Sequence, residues 1–171
     1  DTARFRVCLG NEFGVAPVSV EAHMIGEHGD SVIAAWSSAH IAGMPLKQIL
    51  EQSPDGKARM EKIYNNVRNA AYEIIEAKGS TSFGIGMGLS RISNALLHNQ
   101  SVVLTVSTLL QGEFGQEGVY IGVPAVINRQ GAVRVINKSL DADEQQKFNQ
   151  SAKLLRSYQQ KVDDFIAALD E

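Results

Sequence analysis

The chain has 171 residues, of which 44% are hydrophobic and 20% are charged, and its formal net charge is −3. This composition is ordinary for a globular protein, and the length suits one domain with a buried core. We expect no membrane span and no signal peptide, because apolar runs are short. A negative charge argues against nucleic acid as a partner. The single cysteine, Cys8, fits a reducing compartment, so a cytoplasmic location is expected.

The amino-terminal part of the chain predicts a helix followed by a strand. Residues 1–10 are expected to form the carboxyl-terminal part of a helix, which Gly10 and Asn11 end. Apolar and more polar residues alternate over residues 18–24. This alternation predicts a strand that leads into residues 26–30.

Two helices are predicted in the middle of the chain. Apolar residues recur at intervals of three and four over residues 57–78, which is typical of an amphipathic helix, and Gly79 is placed to stop it. A second helix is expected over residues 82–98. Its apolar stripe consists of Ile85, Leu89, Ile92 and Leu96.

In the last third of the chain, the sequence pattern changes to one that is typical of β-strands. Residues rich in β-branched side chains at 102–106, 119–123 and 133–136 predict an antiparallel sheet. Pro124 is expected at an edge or a bulge of that sheet. Asp141 and Glu144 resemble a capping box that opens a final helix. Since no repeat or linker interrupts the chain, we predict an α+β fold with long helices packed on an antiparallel sheet.

Three side chains suggest proton transfer on an anionic substrate. His28 stands between two glycines in the sequence Gly-Glu-His-Gly-Asp at residues 26–30, which leaves its ring open to a small molecule. Asp1 and Arg4 are three residues apart, so on a helix they share a face. A carboxylate, an imidazole and a guanidinium suit proton exchange with an oxygen of a substrate that carries a carboxylate. Taken alone, a histidine in such a turn is more often structural.

The surrounding residues resemble the L-lactate dehydrogenases of the lactate/malate dehydrogenase superfamily. The resemblance rests on Asp-Thr-Ala-Arg-Phe-Arg at residues 1–6, on residues 26–30, on residues 78–81 and on residues 119–125, and it covers essentially the whole chain. Glu27 gives the lactate-type form of the second motif, where malate dehydrogenases usually have a glycine. The resemblance implies that residues 1–171 are the C-terminal substrate-binding and catalytic domain. The N-terminal dinucleotide-binding domain would be absent from this chain.

The resemblance also implies roles for individual residues. His28 would donate a proton when pyruvate is reduced and accept one when L-lactate is oxidised, while Asp1 would bind its other ring nitrogen. Arg4 would bind the substrate carboxylate, Thr81 would line the substrate pocket, and Ile85 would lie beside the nicotinamide ring of NAD. Without the resemblance, Asp1 would be an ordinary acidic residue near a helix start and Arg4 a solvated one. Thr81 would equally suit a helix cap.

Cofactor binding is expected to depend on the part that this chain lacks. The chain has no strand followed by Gly-x-Gly-x-x-Gly, and its glycine-rich segment at residues 84–88 has Leu89 where the third glycine is needed. Those glycines are expected to let a helix pack closely. No metal site is expected, because the four histidines lack ligand companions at suitable spacing. The resemblance implies a homo-oligomer, specifically a tetramer.

Arg6 raises the question of an effector site. In many bacterial members of the family, an arginine at this place pairs with a histidine seven residues before the catalytic histidine to bind fructose 1,6-bisphosphate. Here that second position is Glu21. Because a carboxylate repels phosphate, we predict that this activation is absent.

Two classes of function remain open at this point. The first is part of an L-lactate dehydrogenase, with a malate dehydrogenase and an enzyme for another L-2-hydroxy acid as its near variants. The second is an inactive fragment that serves only subunit assembly. The combination of Asp1, Arg4 and His28 favours catalysis, since assembly alone gives no reason to retain it.

Overall fold

A computed structural model describes residues 1–169 of the chain. It contains long helices packed against an antiparallel sheet, so the predicted α+β fold is confirmed. In the first half the elements are α1 (Thr2–Phe13), β1 (Val20–Glu21), β2 (Met24–Ile25), β3 (Ile33–Ala34), β4 (His40–Ile41), β5 (Met44–Pro45), α2 (Leu46–Glu51) and α3 (Gly56–Lys78). In the second half they are α4 (Phe83–Leu97), β6 (Val102–Gln111), β7 (Glu117–Asn128), β8 (Gly131–Val135) and α5 (Ala142–Ala167).

The main sheet has three antiparallel strands in the order β6-β7-β8. Pro124 lies opposite Thr105 in regular register on β7, the middle strand, so the predicted position at an edge or a bulge is wrong. Its carbonyl accepts a hydrogen bond from Ile136 N, just past the end of β8. Proline has no N–H to donate, but at this position the donor would point to where β8 stops pairing. Its absence therefore costs the sheet little stability.

The strand predicted over residues 18–24 is replaced by shorter pieces. Pro17–Ser19 forms a single 3-10 turn, in which Val18 is 90% exposed, and only Val20–Glu21 and Met24–Ile25 pair as strands. β1 belongs to a small sheet of order β1-β4-β5, and β2 pairs with β3. The chain thus reaches residues 26–30 through β2, as an extended segment.

Helix α1 continues past the predicted stop at Gly10. It ends at Gly14, whose φ of 67° is the left-handed conformation that favours glycine. Gly10 is buried inside the helix, where a Cβ atom would lie 2.7 Å from the carbonyl oxygen of Val15. Glycine at position 10 therefore lets the backbone of Val15 lie close to the helix, and it does not end the helix.

The two longest helices follow their sequence signals. Helix α3 buries Ile63 and Val67 and ends at Gly79, whose φ is 83°. At the start of α5, the Asp141 carboxylate accepts from Glu144 N, and the Glu144 carboxylate accepts from Asp141 N. The predicted capping box is confirmed.

Helix α4 forms as predicted, but only the second half of its apolar stripe is covered, since Leu96 packs against Ala125 and Ile127 of the sheet. Ile85 and Leu89 are 59% and 61% exposed. A Cβ atom on any of the glycines at positions 84, 86 and 88 would meet no atom within 4 Å among the described residues. Close packing through these glycines is therefore wrong for contacts within this chain, because no described element covers the first half of the helix.

Two large hydrophobic clusters, with a smaller one between α4 and the sheet, hold the elements together. The first joins α1 to α2 and α3, and in it the ring of Phe5 meets that of Trp36 edge-on at 4.9 Å between centroids. The second joins the sheet to α5 through residues such as Ile121 and Phe148. Within residues 1–169, no helix combines the length and the apolar character that a membrane crossing requires.

Candidate active site

His28 lies on the loop between β2 and β3, with 87% of its side chain exposed. One end of the loop is fixed to the main sheet, because Gly26 N donates to Gly122 O at 2.8 Å and Gly122 N donates to Gly26 O at 3.0 Å. A Cβ atom at Gly122 would lie 2.7 Å from Gly26 O. The two hydrogen bonds require the backbones to approach this closely, and only glycine at position 122 leaves room for that approach.

Asp1 is the partner of His28. Its Oδ2 lies 2.7 Å from Nδ1 of the histidine, and 23% of the Asp1 side chain is exposed. Asp1 is the N-cap residue of α1, but its side chain makes no cap hydrogen bond, so the carboxylate is directed to the imidazole. Because an ionised carboxylate only accepts, Nδ1 carries the proton in this contact. The other ring nitrogen, Nε2, is then the one available to a substrate.

A hydroxyl pair fixes the start of α1 relative to β2. Thr2 Oγ1 accepts from Met24 N at 3.1 Å and lies 3.0 Å from Oγ1 of Thr105 on β6. Nδ1 of His23 lies 3.1 Å from the same Thr105 oxygen. These bonds hold the residue next to Asp1 against the strand that leads to His28. No sequence pattern indicates this group, since its two threonines are 103 positions apart.

Arg4 lies on the exposed turn of α1 that follows Asp1, and it is half-buried. Among residues 1–169 its guanidinium makes no hydrogen bond or ion pair with a side chain. A half-buried guanidinium that pairs with no described side chain is suited to bind a carboxylate from outside the chain.

Thr81 and Ile85 lie at the start of α4. The N-cap residue of this helix is Ser82, and no side chain caps it, so the alternative in which Thr81 is the cap is wrong. Thr81 is half-buried and Ile85 is exposed. Within the described residues no hydrogen bond joins Thr81 to the pair of Asp1 and His28.

Arg6 and Glu21 line a surface cleft of about 360 Å³, together with His40. Arg6 Nε donates to Ala22 O at 3.0 Å, and burial lowers the pKa of its guanidinium. Glu21 Oε1 accepts from Lys138 Nζ at 2.9 Å. This hydrogen bond is the main reason that the pKa of Glu21 lies below its usual value. The cleft therefore holds a firmly ionised carboxylate beside Arg6.

The remaining polar groups near the loop are engaged locally. Asp30, on the loop itself, accepts from the Tyr72 hydroxyl at 3.0 Å. Over the part of the chain that the structure describes, no three His, Cys, Asp or Glu side chains are grouped to hold a metal ion.

Comparison with known proteins identifies the family. Residues 1–166 match the family model described as lactate/malate dehydrogenase, alpha/beta C-terminal domain. The L-lactate dehydrogenase 1 of Staphylococcus aureus strain JH9 is 56% identical over 156 residues, which are 91% of this chain and 49% of that protein. The chain spans about half the length of the curated relatives it matches.

Solved structures agree with this relationship. The minor L-lactate dehydrogenase from Enterococcus mundtii in its ligands-bound form superposes with a TM-score of 0.85 at 38% identity, covering 91% of this chain and 50% of that one. The lactate dehydrogenase MGS-M5 from a Medee basin deep-sea metagenome library gives 0.85 at 37% identity, with the same coverage. This chain belongs to the lactate/malate dehydrogenase family, in which it matches the alpha/beta C-terminal domain.

Proposed function

We propose that this chain is the substrate-binding and catalytic half of an NAD-dependent L-lactate dehydrogenase, which interconverts pyruvate and L-lactate. The observation that carries the proposal is the 2.7 Å contact between Asp1 and an otherwise exposed His28. Such a contact fixes the ring and leaves Nε2 free, as acid–base catalysis requires. The match of half the length of relatives named L-lactate dehydrogenase supports the substrate. A malate or other 2-hydroxy acid enzyme has no separate observation in its favour.

The side chains divide the chemistry between them. In reduction, His28 gives its Nε2 proton to the carbonyl oxygen of pyruvate as that oxygen gains charge, and Asp1 stabilises the imidazolium beforehand. In oxidation, the neutral ring takes the proton from the hydroxyl of L-lactate. Arg4 binds the substrate carboxylate through two parallel N–H donors, which fixes the orientation of the reacting carbon.

NAD fits this chain only in part. When bound, its nicotinamide ring exchanges a hydride with the substrate carbon that carries the oxygen. Ile85 offers an exposed apolar side chain for one face of the ring, and Thr81, just before the N-cap of α4, would line the substrate pocket. The described residues include no glycine-rich turn between a strand and a helix that would bind the pyrophosphate. We therefore place the dinucleotide site in a preceding half, which the chain's coverage of its relatives supports.

The exposed apolar side chains of α4 support an assembly. Phe83, Met87 and Leu89 are 82%, 71% and 61% exposed, which is unusual for a surface in water. We propose that the preceding half and further copies of the enzyme cover them, in a homotetramer. A cytoplasmic location is part of the same proposal, and Cys8 as the single cysteine fits it.

The test is kinetic and uses the complete enzyme, meaning this chain joined to its dinucleotide-binding half. NADH oxidation by pyruvate should be rapid, and His28→Gln should lower kcat at least about a hundredfold while NADH binding changes little. Purified residues 1–171 should show no turnover. His40→Gln is the matched control, and it should retain activity. Full activity of the His28→Gln enzyme, or rapid turnover by residues 1–171 alone, would refute the proposal.

A further inference from the structure

The position of the His28 ring depends on the backbone of its loop. The ring is 87% exposed and touches only Asp1 through a hydrogen bond, so side-chain packing does not hold it. The place of the imidazole is therefore set by the backbone of the loop. The Gly26 to Gly122 pair fixes the loop only on the side where it leaves β2.

A closed set of hydrogen bonds fixes the other side. Glu27 N donates to Ser151 Oγ at 2.8 Å, and the Ser31 hydroxyl donates to Glu27 Oε2 at 2.5 Å. Ser151 Oγ and Ser31 Oγ lie 3.0 Å apart. Ser31 N also donates to Glu27 Oε2, at 3.2 Å. The residues on both sides of His28 are thus joined through one serine of α5.

The directions of these bonds are determined by chemistry. The carboxylate is the strongest acceptor present, so Ser31 gives it its only hydroxyl proton. Ser31 Oγ must then accept from the Ser151 hydroxyl, and Ser151 Oγ accepts from Glu27 N. The bonds form a ring that starts at the backbone of Glu27 and returns to its own carboxylate. In such a ring each bond polarises the next, which strengthens all of them.

Ser151 is well placed to act as an anchor. It is fully buried on α5, beside Phe148 and Ala152 of the core, and its oxygen lies 3.0 Å from where a Cβ at Gly26 would be. A buried hydroxyl in an apolar cluster is costly unless both its donor and acceptor capacities are used, as they are here.

We infer that Ser151, acting with Ser31 and Glu27, is a positioning residue for His28. The inference rests on the proposed function, since it needs His28 to be the acid–base group. The hydrogen-bonded ring holds residues 27–31 so that the imidazole meets both Asp1 and the substrate. Arg4 belongs to α1, whose start is fixed by the bonds of Thr2 to Met24 and Thr105, so substrate binding does not depend on the ring.

The test compares Ser151→Ala with Ser157→Ala in the complete enzyme. Ser157 lies on the same helix, is exposed, and donates only to Leu154 O within the helix. We expect Ser151→Ala to lower kcat about tenfold while KM for pyruvate changes less than about twofold, because a misplaced catalytic group costs rate and not affinity. Ser157→Ala should leave both constants unchanged.

Variants of Ser31 keep the test independent of the core. Ser31 is half-buried on the loop, so its substitution spares the packing of α5. Ser31→Ala should reproduce the loss in kcat, and Ser31→Thr, which keeps the hydroxyl, should restore it. The double variant of Ser31 and Ser151 should lose no more than either alone, because both changes open the same ring.

Hydrogen exchange supplies a readout that does not need activity. The Glu27 amide should exchange at least about tenfold faster in Ser151→Ala, while core amides of α5 keep their protection. Unchanged exchange, or unchanged kcat in both Ser151→Ala and Ser31→Ala, would overturn the inference. If His28→Gln retained full activity, the proposed function would fail instead, and the exchange result would still decide whether the ring holds the loop.

Discussion

Lys138 lies 2.9 Å from Glu21, across 117 positions of sequence. The lysine is well covered, with 13% of its side chain exposed, and it comes from the segment between β8 and α5. Its ammonium forms an ion pair with the carboxylate that lies beside Arg6 in the surface cleft. Glu21 is therefore a paired, ionised group, and an anion that enters the cleft must compete with it for both cations.

This arrangement predicts insensitivity to fructose 1,6-bisphosphate. Adding millimolar effector to the complete enzyme should change the pyruvate saturation curve little, because Glu21 repels phosphate and occupies Lys138. Glu21→His should make the enzyme responsive, most clearly at mildly acidic pH, where an imidazole is charged. Pyruvate titrations with and without the effector measure both effects.

Glu21→Gln is the control for that experiment. It removes the negative charge and leaves no imidazole, so it separates lost repulsion from a gained phosphate ligand. A large, saturable decrease in the half-saturating pyruvate concentration of the unmodified enzyme would show that the cleft binds the effector despite Glu21.

Arg4→Lys should impair substrate binding and also lower kcat. Lysine keeps the charge but loses the two parallel donors, so the carboxylate is no longer held in one orientation. The loss should be on the order of 3 kcal/mol, or about a hundredfold in kcat/KM. Steady-state kinetics with pyruvate measure it. Arg129→Lys, in an exposed turn, is the control, and equal kinetics for both variants would remove Arg4 from the substrate site.

The elements that local patterns predict well are those whose cause is local. Helix α3 follows from its apolar spacing, and the start of α5 follows from Asp141 and Glu144, since each partner lies within one helical turn. Gly10 and Gly14 show the limit of this reasoning. A glycine that ends a helix and one that admits a neighbouring carbonyl look the same in a sequence, and only the packed chain separates them.

Contacts between residues far apart in the sequence could be identified only from the family resemblance or from the structure. Asp1 and His28 are 27 positions apart, and the resemblance alone put them in one site before the structure brought them within 2.7 Å. No motif links Ser151 to Glu27, or Lys138 to Glu21, because such hydrogen bonds depend on how α5 and the loops pack. The exposure of Ile85 and Leu89 on α4 could not be predicted either, since periodicity identifies an apolar face but not what covers it.

His23 should make the stability of the protein depend on pH. It is 2% exposed, and burial lowers its pKa from 6.5 to about 3. In the unfolded chain its pKa returns to the ordinary value, so between about pH 6 and pH 3 the unfolded state binds one more proton than the folded state. The free energy of unfolding must therefore decrease as pH falls through this range. The contribution of His23 is fully present above pH 6.5.

The measurement is chemical denaturation from pH 7 to pH 4 for the unmodified protein and His23→Gln. Glutamine also offers an amide to Thr105 but does not titrate, so the variant should lose less stability on acidification. The free energy of unfolding of the unmodified protein minus that of His23→Gln should decrease by up to about 1.4 kcal/mol per pH unit below pH 6. His98→Gln is the control, because His98 is exposed and hydrogen-bonds only within the end of α4. Parallel pH profiles for the unmodified protein and His23→Gln would mean that His23 has the same pKa in the folded and unfolded chains, contrary to its burial.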